Sequence, residues 1–499
     1  MYVPAYPLPL LEIGSFLKAN LPEVDVRIIS VPMDYGLPLS RRAKNLVYRE
    51  LIQDILEMKP KGIGISCTAI SQAKELIDLC DLIKAHVPDV FVFIGGYFPT
   101  IYYEEILSTT SAVDLVVVGE GEMPALQIIE LLEKGEDPRV AKVPSTAWKR
   151  NGLVHATPRE KRFDLKKKAC LDLSLLKYPK AYDVLPYAFS RGCPYKCKFC
   201  MEGHIRPNRR QVPESIINPD LTNLLKQGDT RTILVSDALF KSFEIFPLLR
   251  SVGAKVNFET RCDILKPSIL SEIADVCVGV ALGLESASYN TLRRMNKVRN
   301  RSHYREYLSN TLAIFKEAVN CKIPLLVFMI AGFPGETEED LKESLRFAQE
   351  LSRHKGPGGH VFKIGECHVY PKTKTYDLAL SLPDVVFDDD GVFGQNIVRQ
   401  PSKNLSFETT LAYSQQIFKL SNHTSRLQKT LLAIMPFFRL PAHAMKDELI
   451  PDRCFKDKGR ELFNVHGESL AIFKGMVPEL AKKYREAMSA QRQVRSLDL

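Results

Sequence analysis

The sequence predicts an α/β protein made of two successive strand–helix series followed by a mainly helical region. Three observations predict it. Short apolar runs alternate with amphipathic helical segments from Val24 to Gly135, the alternation resumes at Tyr187 for six units, and after about Tyr376 the pattern becomes mostly helical. Continuous apolar strands between helices belong to a parallel sheet covered on both faces. The expected architecture is a doubly wound, Rossmann-like first domain (1–140), a hairpin and basic linker (141–182), a partial (β/α)6 barrel of the TIM type (183–378) and a mainly helical C-terminal domain (379–499).

In the first domain, Val24–Val31, Gly62–Ser66, Val90–Ile94 and Leu115–Val118 read as strands. Ala43–Met58, Ala73–His86 and Pro124–Lys134 read as helices, the second with Leu76, Leu79 and Ile83 on one side. Met1–Pro9 is short and proline-rich, so a strand is nearly absent there. Asn151-Gly152 between Thr146–Trp148 and Leu153–His155 signals a hairpin, and Arg159–Lys168 reads as a solvated basic linker. The barrel strands are expected at Tyr187–Ser190, Thr232–Ser236, Lys255–Glu259, Val278–Leu284, Leu325–Ile330 and His360–Val369, with later helices at Thr409–Leu420 and Glu468–Met488. Ligands of such folds sit at the carboxyl ends of the strands.

With 499 residues, 45% hydrophobic and 25% charged, the chain fits two or three domains and is not collagen-like, disulfide-stapled or wholly disordered. A net charge of +9 is mild at this length and does not call for nucleic acid. The longest apolar run, Leu325–Phe333, falls short of the ~20 residues of a spanning helix. No cationic segment leads into an apolar stretch at the start, so a cytoplasmic protein without a signal peptide is expected. Most of the 11 cysteines, such as Cys67, Cys80, Cys277 and Cys321, lie in apolar segments and read as core residues.

Three cysteines cluster. Ser190-Arg191-Gly192-Cys193-Pro194-Tyr195-Lys196-Cys197-Lys198-Phe199-Cys200 places thiols at C-x3-C-x2-C spacing on one loop after the first barrel strand. Thiolates so spaced can hold an iron–sulfur cluster, and three ligands leave one iron of a cubane open for chemistry. Gly192 permits a tight turn, and Lys196 and Lys198 favour thiolates. The rival is zinc with His204 as fourth ligand, although no paired C-x2-C knuckle accompanies it.

This loop resembles the cluster motif of the radical S-adenosylmethionine superfamily, including the aromatic Phe199 before the last cysteine. The resemblance implies a [4Fe-4S] cluster on Cys193, Cys197 and Cys200. It also implies S-adenosylmethionine chelated at the open iron, with Phe199 beside the adenine, and a 5′-deoxyadenosyl radical on reductive cleavage. Later strand ends resemble the family too: Phe258–Asp263, Gly283–Ser286 with Arg294–Lys297, and Ala331–Thr337. They imply S-adenosylmethionine contacts from Glu259, from Arg261 to the carboxylate, from Glu285 to ribose or amino group, and from backbone at Gly332 and Gly335. Tyr370-Pro371-Lys372-Thr373 departs from the family's Pro-Gly-Thr-Pro and puts Lys372 on the expected substrate side, facing either an anion or solvent.

The first domain resembles the cobalamin-binding domain of one branch of that superfamily, on Gly64–Thr68, Gly95–Thr100 and Asp114–Glu122. The resemblance implies hydrogen bonds from Ser66 and Thr68 to the nucleotide tail of cobalamin, and a crevice formed by Gly95, Gly96, Gly119, Glu120 and Gly121. The cobalt-ligating Asp-x-His-x-x-Gly is replaced by Asp34-Tyr35-Gly36, and the first histidine is His86, so cobalt without a histidine ligand is expected. A cobalamin-dependent methyltransferase acting on an unactivated carbon of a small molecule follows, served by a flavodoxin or ferredoxin and working as a monomer. A cyclase or ring-rearranging enzyme with the same cofactors, and a non-catalytic corrinoid- or metal-binding protein, are the alternatives. Arg206, Arg209, Arg210, Arg293, Arg294, Lys297 and Arg299 read either as anion ligands or as solvated helix surface. Cys367 and Cys454 are too few for a second cluster, and Leu431–Phe438 reads as packing, pocket or membrane-surface contact.

Overall fold

Two prolines and a short apolar stripe start the chain as a helix, not as a truncated strand. Pro7 and Pro9 occupy the N-cap and first turn of α1 (Leu8–Asn20), where a missing N–H costs nothing. Its Leu8, Leu11 and Phe16 pack with Ile28, Phe163 and Leu175 into the core of the second sheet. The expected strand Val24–Val31 is absent from the sheets: only Ile28 bridges Leu176, while Asp25 and Arg27 are exposed and pair with each other. One bridge is too little for a ladder. The computed structural model describes residues 6–422 apart from 36–40, 161, 180–184, 227–231, 389–390 and 395, so the expected helix Glu468–Met488 and the run Leu431–Phe438 lie outside the described residues.

The first domain continues through α2 (Val31–Asp34), α3 (Arg41–Met58), β1 (Gly62–Ser66), α4 (Ala73–His86), β2 (Phe91–Gly95), α5 (Tyr97–Thr109), β3 (Leu115–Val117), α6 (Glu122–Glu133) and α7 (Pro138–Ala141). Strands β1, β2 and β3 are parallel neighbours, buried through Val92, Ile94 and Val116. The hairpin of β4 (Thr146–Arg150) and β5 (Leu153–Ala156) adds to β3 in antiparallel fashion. Its turn residues Asn151 and Gly152 both take positive φ, +52° and +79°, as a primed hairpin turn demands. The sheet is therefore mixed, in the order β1-β2-β3-β4-β5, and reaches past residue 140. The basic linker is only partly solvated, because Lys168 is buried against Asp220 at 2.9 Å.

The second domain follows as β6 (Leu185–Tyr187), β7 (Ser190–Arg191), α8 (Glu202–Ile205), β8 (Arg210–Gln211), α9 (Glu214–Lys226), β9 (Thr232–Val235), α10 (Phe246–Ser251), β10 (Lys255–Arg261), α11 (Pro267–Ile273), β11 (Cys277–Glu285), α12 (Tyr289–Arg294), α13 (Arg301–Cys321), β12 (Leu325–Ala331), α14 (Glu338–Ser352) and β13 (His360–Glu366). Its six-stranded sheet has the order β13-β12-β11-β10-β9-β6, parallel throughout. This is the partial barrel that the sequence predicts. After it come α15 (Lys374–Ser381), the ribbon of β14 (Val386–Phe387) and β15 (Val398–Gln400), and α16 (Phe407–Lys419).

A buried charge cluster locks the domains together. Arg191, 7% exposed, lies 2.6 Å from Glu122, 2.9 Å from Glu12 and 3.7 Å from Glu120. Burial opposes its charge, yet the three carboxylates hold the guanidinium well above its ordinary value. On the far side, Tyr102 of α5 donates to the Pro371 carbonyl at 2.7 Å, and Lys372 pairs with Glu104 at 3.1 Å and Glu105 at 2.8 Å. Lys372 thus serves the domain contact with the protein's own carboxylates, not an external anion.

Removing one member of a buried ion cluster strands the others, at a cost of about 3–5 kcal/mol. Arg191→Met is therefore expected to lower the unfolding free energy by an amount of that order, and adding Glu122→Gln to that variant should recover part of the loss. Equilibrium unfolding of the three proteins checks this.

Candidate functional site

The cysteine loop is shaped before any ligand arrives. β7 and β8 pair antiparallel and close residues 192–209 into an arm at the C-terminal end of β6. At its root Asp237, after β9, accepts the Phe189 N–H at 2.6 Å and the Ser190 N–H at 3.1 Å, and bonds the Ser190 hydroxyl. Gly192 has φ +89°, and a side chain there would meet the Asn208 and Arg206 carbonyls at 2.5 and 2.7 Å, so only glycine fits. Glu202 bonds Arg206 at 3.0 and 3.1 Å and faces the Gly192 N–H; burial pushes its carboxyl up to about 7. From the other side Asn296 donates to the Lys196 carbonyl at 2.9 Å, and the Lys198 N–H reaches the Met295 carbonyl at 3.0 Å.

Cys193 and Cys197 are buried and Cys200 is half-buried. Burial pushes the Cys193 and Cys200 thiols up, so both are protonated until a metal displaces the proton. Arg261 meets this loop from β10. Its Nη1 lies 3.2 Å from Cys197 Sγ, its guanidinium stacks 3.9 Å from the Tyr195 ring, and Asp263 holds it through two 2.8 Å bonds. Expected as a carboxylate partner, Arg261 instead spends most of its donors on the protein and one on a cysteine sulfur. Among the described residues no three His, Cys, Asp or Glu groups gather to hold one metal ion, and His204 is exposed on α8. A cubane meets each thiolate with a different iron, so it needs no such convergence.

Glu285 sits at a bulge in β11 with φ +66°, a left-handed conformation rare outside glycine. The bulge turns its carboxylate to Lys297, 3.0 Å away and itself bonded to the Gly283 carbonyl. Lys297 stands 5.9 Å from the Phe199 ring, which packs with Met295, Phe333 and Val398. The barrel mouth therefore gathers Phe199, Arg261 and Glu285 with the cysteines, and Glu259 lines the interior below them. Gly332 and Gly335 play another part: Thr410 and Pro401, and Arg294 and Leu382, occupy the space where their side chains would begin. That loop is fastened by Glu336, fully buried, which accepts the Gly332 N–H at 2.7 Å and faces Thr291 at 3.2 Å.

The first domain presents its strand ends to this arm. Tyr97, after Gly95-Gly96, lies under the Arg206 guanidinium at 4.8 Å. Ser66 and the exposed Thr68 follow β1, and neither hydroxyl is bonded within the described protein. Gly119 has nothing within 4 Å of where a side chain would start, and its N–H is held by Thr100 at 3.0 Å. These open ends and free hydroxyls fit a large ligand such as a corrinoid tail. Glu120 and Gly121 do not line that space. Glu120 takes the Phe163 N–H at 2.9 Å and pairs with Arg210, and Ile13 fills the space beside Gly121. His86 caps the opposite end of the sheet, bonded to Leu82 of its own helix at 2.9 Å.

Asp237, Glu202, Tyr195 and Asp263 are given no role by the sequence alone: Asp237 and Tyr195 act through residues distant in the chain, whereas Glu202, four residues before Arg206, and Asp263, two after Arg261, carry a local signal. For Glu336, burial pushes the carboxyl up to about 8, so the fold holds its proton and loses stability as pH rises through the window from about 4.5 to about 8. Glu336→Gln is expected to flatten that loss by roughly 4 kcal/mol, read from unfolding at pH 5, 7 and 9.

Residues 187–348 match the radical SAM superfamily, and residues 3–129 match the B12 binding domain. The chain is similar to the anaerobic magnesium-protoporphyrin IX monomethyl ester cyclase of Rubrivivax gelatinosus, 26% identical over 60% of this chain and only 56% of the relative's length. It is also similar to an uncharacterized methyltransferase of Pyrococcus horikoshii, 25% identical over 69% of this chain and 73% of the relative. In fold it is similar to the radical S-adenosylmethionine methyltransferase TsrM from Kitasatospora setae, solved with cobalamin and a [4Fe-4S] cluster, with a TM-score of 0.65, 14% identity and 97% of both chains covered. The cobalamin-dependent radical enzyme OxsB aligns at a TM-score of 0.64 and 15% identity over 100% of this chain and 78% of its own. No helix among the described residues is long and apolar enough to cross a membrane. Three cysteines on a preformed arm, facing glycine-edged strand ends, are thus those of a member of the radical SAM superfamily with an N-terminal B12-binding domain, whose cofactors are a [4Fe-4S] cluster, S-adenosylmethionine and cobalamin.

Proposed function

We propose that the chain is a methyltransferase that acts on an unactivated carbon of a small molecule. The observation that carries this reading is the docking of the two domains: Tyr97 at the glycine turn of β2 touches Arg206 of the cysteine arm, so the two cofactor sites open toward each other. When bound, the cofactors supply a carbon-centred radical at the cluster and a transferable methyl group from cobalamin. Cys193, Cys197 and Cys200 hold the cluster. Arg261 lowers the cost of charge on Cys197, and Asp263 keeps it aimed there. Glu285 accepts from the ribose or amino group of S-adenosylmethionine, with Lys297 fixing its rotamer and Phe199 flanking the adenine. Ser66 and Thr68 bond the nucleotide tail, with Gly119 admitting it; Gly96 is glycine for the Cys67 carbonyl, which stands where a side chain would start, and Gly95 sits against Val117. The electron donor is a small flavodoxin or ferredoxin.

Anaerobic protein loaded with iron, sulfide and cobalamin, supplied with a one-electron reductant (reduced flavodoxin or dithionite) and given methyl-labelled S-adenosylmethionine and host metabolites, is expected to release S-adenosylhomocysteine and 5′-deoxyadenosine in equal amounts while labelling a product. Release of 5′-deoxyadenosine alone would favour a cyclase, and neither product would favour a non-catalytic carrier. Replacing any one of Cys193, Cys197 or Cys200 by Ser should take the iron content to near zero with unchanged far-ultraviolet circular dichroism. Lys297→Met should keep the iron but weaken S-adenosylmethionine binding about tenfold, a loss of ~1.4 kcal/mol readable by equilibrium dialysis.

A further inference from the structure

Strand register decides what the barrel interior contains. Phe258, Leu282, Val327 and Phe362 turn outward into the core beneath the helices. Their neighbours Asn257, Glu259, Phe328 and Lys363 therefore turn inward. Beside them β11 sends in only Gly279 and Ala281, in register with Asn257 and Glu259, while β12 and β13 send in Leu326 and Val361, which pack with Phe418.

Two opposite charges line this space without pairing. Glu259 and Lys363 are reached by solvent, and neither makes an ion pair or hydrogen bond among the described residues. Protein walls surround both: burial, then Glu285, raise the Glu259 carboxyl against the pull of Lys297 and Lys363, and burial lowers the Lys363 ammonium against the pull of Glu259, so the two charges feel each other without touching. Lys363 Nζ stands 5.4 Å over the Phe328 ring. Deeper in, Asn257 is 4% exposed and its Nδ2 has no hydrogen-bond partner. An unmade bond of that kind is costly in a buried site, and a ligand acceptor placed there would remove the cost.

We infer that the barrel interior takes a substrate bearing a carboxylate or phosphate, held by Lys363, with Asn257 donating to an acceptor and Glu259 accepting from an amine or hydroxyl of the same molecule. Arg261, Gly283, Phe328 and Lys363 form one register row. Lys363 is three strands from the arginine that touches Cys197, about 14 Å along the sheet at ~4.8 Å per strand. A molecule anchored at Lys363 with its apolar body on Phe328 extends toward the cysteine arm. This deepens the methyl-transfer reading by naming the substrate class, and its test does not depend on turnover.

The probe is naphthalene-1-acetate, compared with its neutral amide, titrated by calorimetry into the cluster-loaded protein. The acid is expected to bind at least tenfold more tightly than the amide. Lys363→Met should erase that preference, Lys363→Arg should keep most of it, and all three proteins should retain their iron. Equal binding of acid and amide, binding of neither, or a preference that survives Lys363→Met would overturn the inference. Saturating S-adenosylmethionine should leave the acid's binding in place; displacement would show that Lys363 serves the cosubstrate, which also overturns it. Failure of methyl transfer with the preference intact would instead count against the reaction alone.

Discussion

A guanidinium buried among three carboxylates is the contact on which the arrangement rests. Arg191 lies two residues before Cys193, and its partners Glu12, Glu120 and Glu122 come from the first helix and from the loop and helix after β3. Desolvating such charges is expensive, so the cluster tolerates one arrangement and penalises partial ones. Its contribution is therefore better stated as orientation than as stability. It ties the root of the cysteine arm to the strand ends of the B12-binding domain, and the Lys372 and Tyr102 contacts fix the opposite edge.

The same economy shapes the arm. No cysteine side chain is needed to set its path: Asp237 holds its root, Glu202 and Arg206 span its return, and Asn296 and Met295 grip its middle from the loop after α12. Burial keeps Cys193 and Cys200 protonated without metal, whereas Arg261 favours charge on Cys197. Loading the site therefore releases protons from a path already set, and little chain order has to be created.

Much of this was legible because it is periodic or local. Gly62–Ser66 and Ala73–His86 match the expected elements, since uninterrupted apolar runs and a clear helical stripe leave one solution. The cysteine spacing and the Asn151-Gly152 turn are equally local. What escaped depends on tertiary partners. Leu8–Asn20 forms a helix because the second domain covers it, and Val24–Val31 joins neither sheet because its apolar residues split between the two cores, Val26 and Ile28 on one and Ile29 and Val31 on the other. Glu120 looked like part of a ligand crevice until Arg210 and Phe163 claimed it, and Lys372 looked like an anion site until Glu104 and Glu105 did. Gly332 and Gly335 are glycines for their own neighbours' sake. Charge and glycine, read without their partners, do not reveal whom they serve.

The central claim is that the docked domains hold cobalamin and the cluster in one chamber. Paramagnetic relaxation tests it most directly, comparing the cob(II)alamin resonance with the cluster oxidised and diamagnetic against the cluster reduced. Reduction of the cluster should bring faster relaxation and dipolar broadening, both weakened in Arg191→Met. A cob(II)alamin signal indifferent to the state of the cluster would contradict that claim.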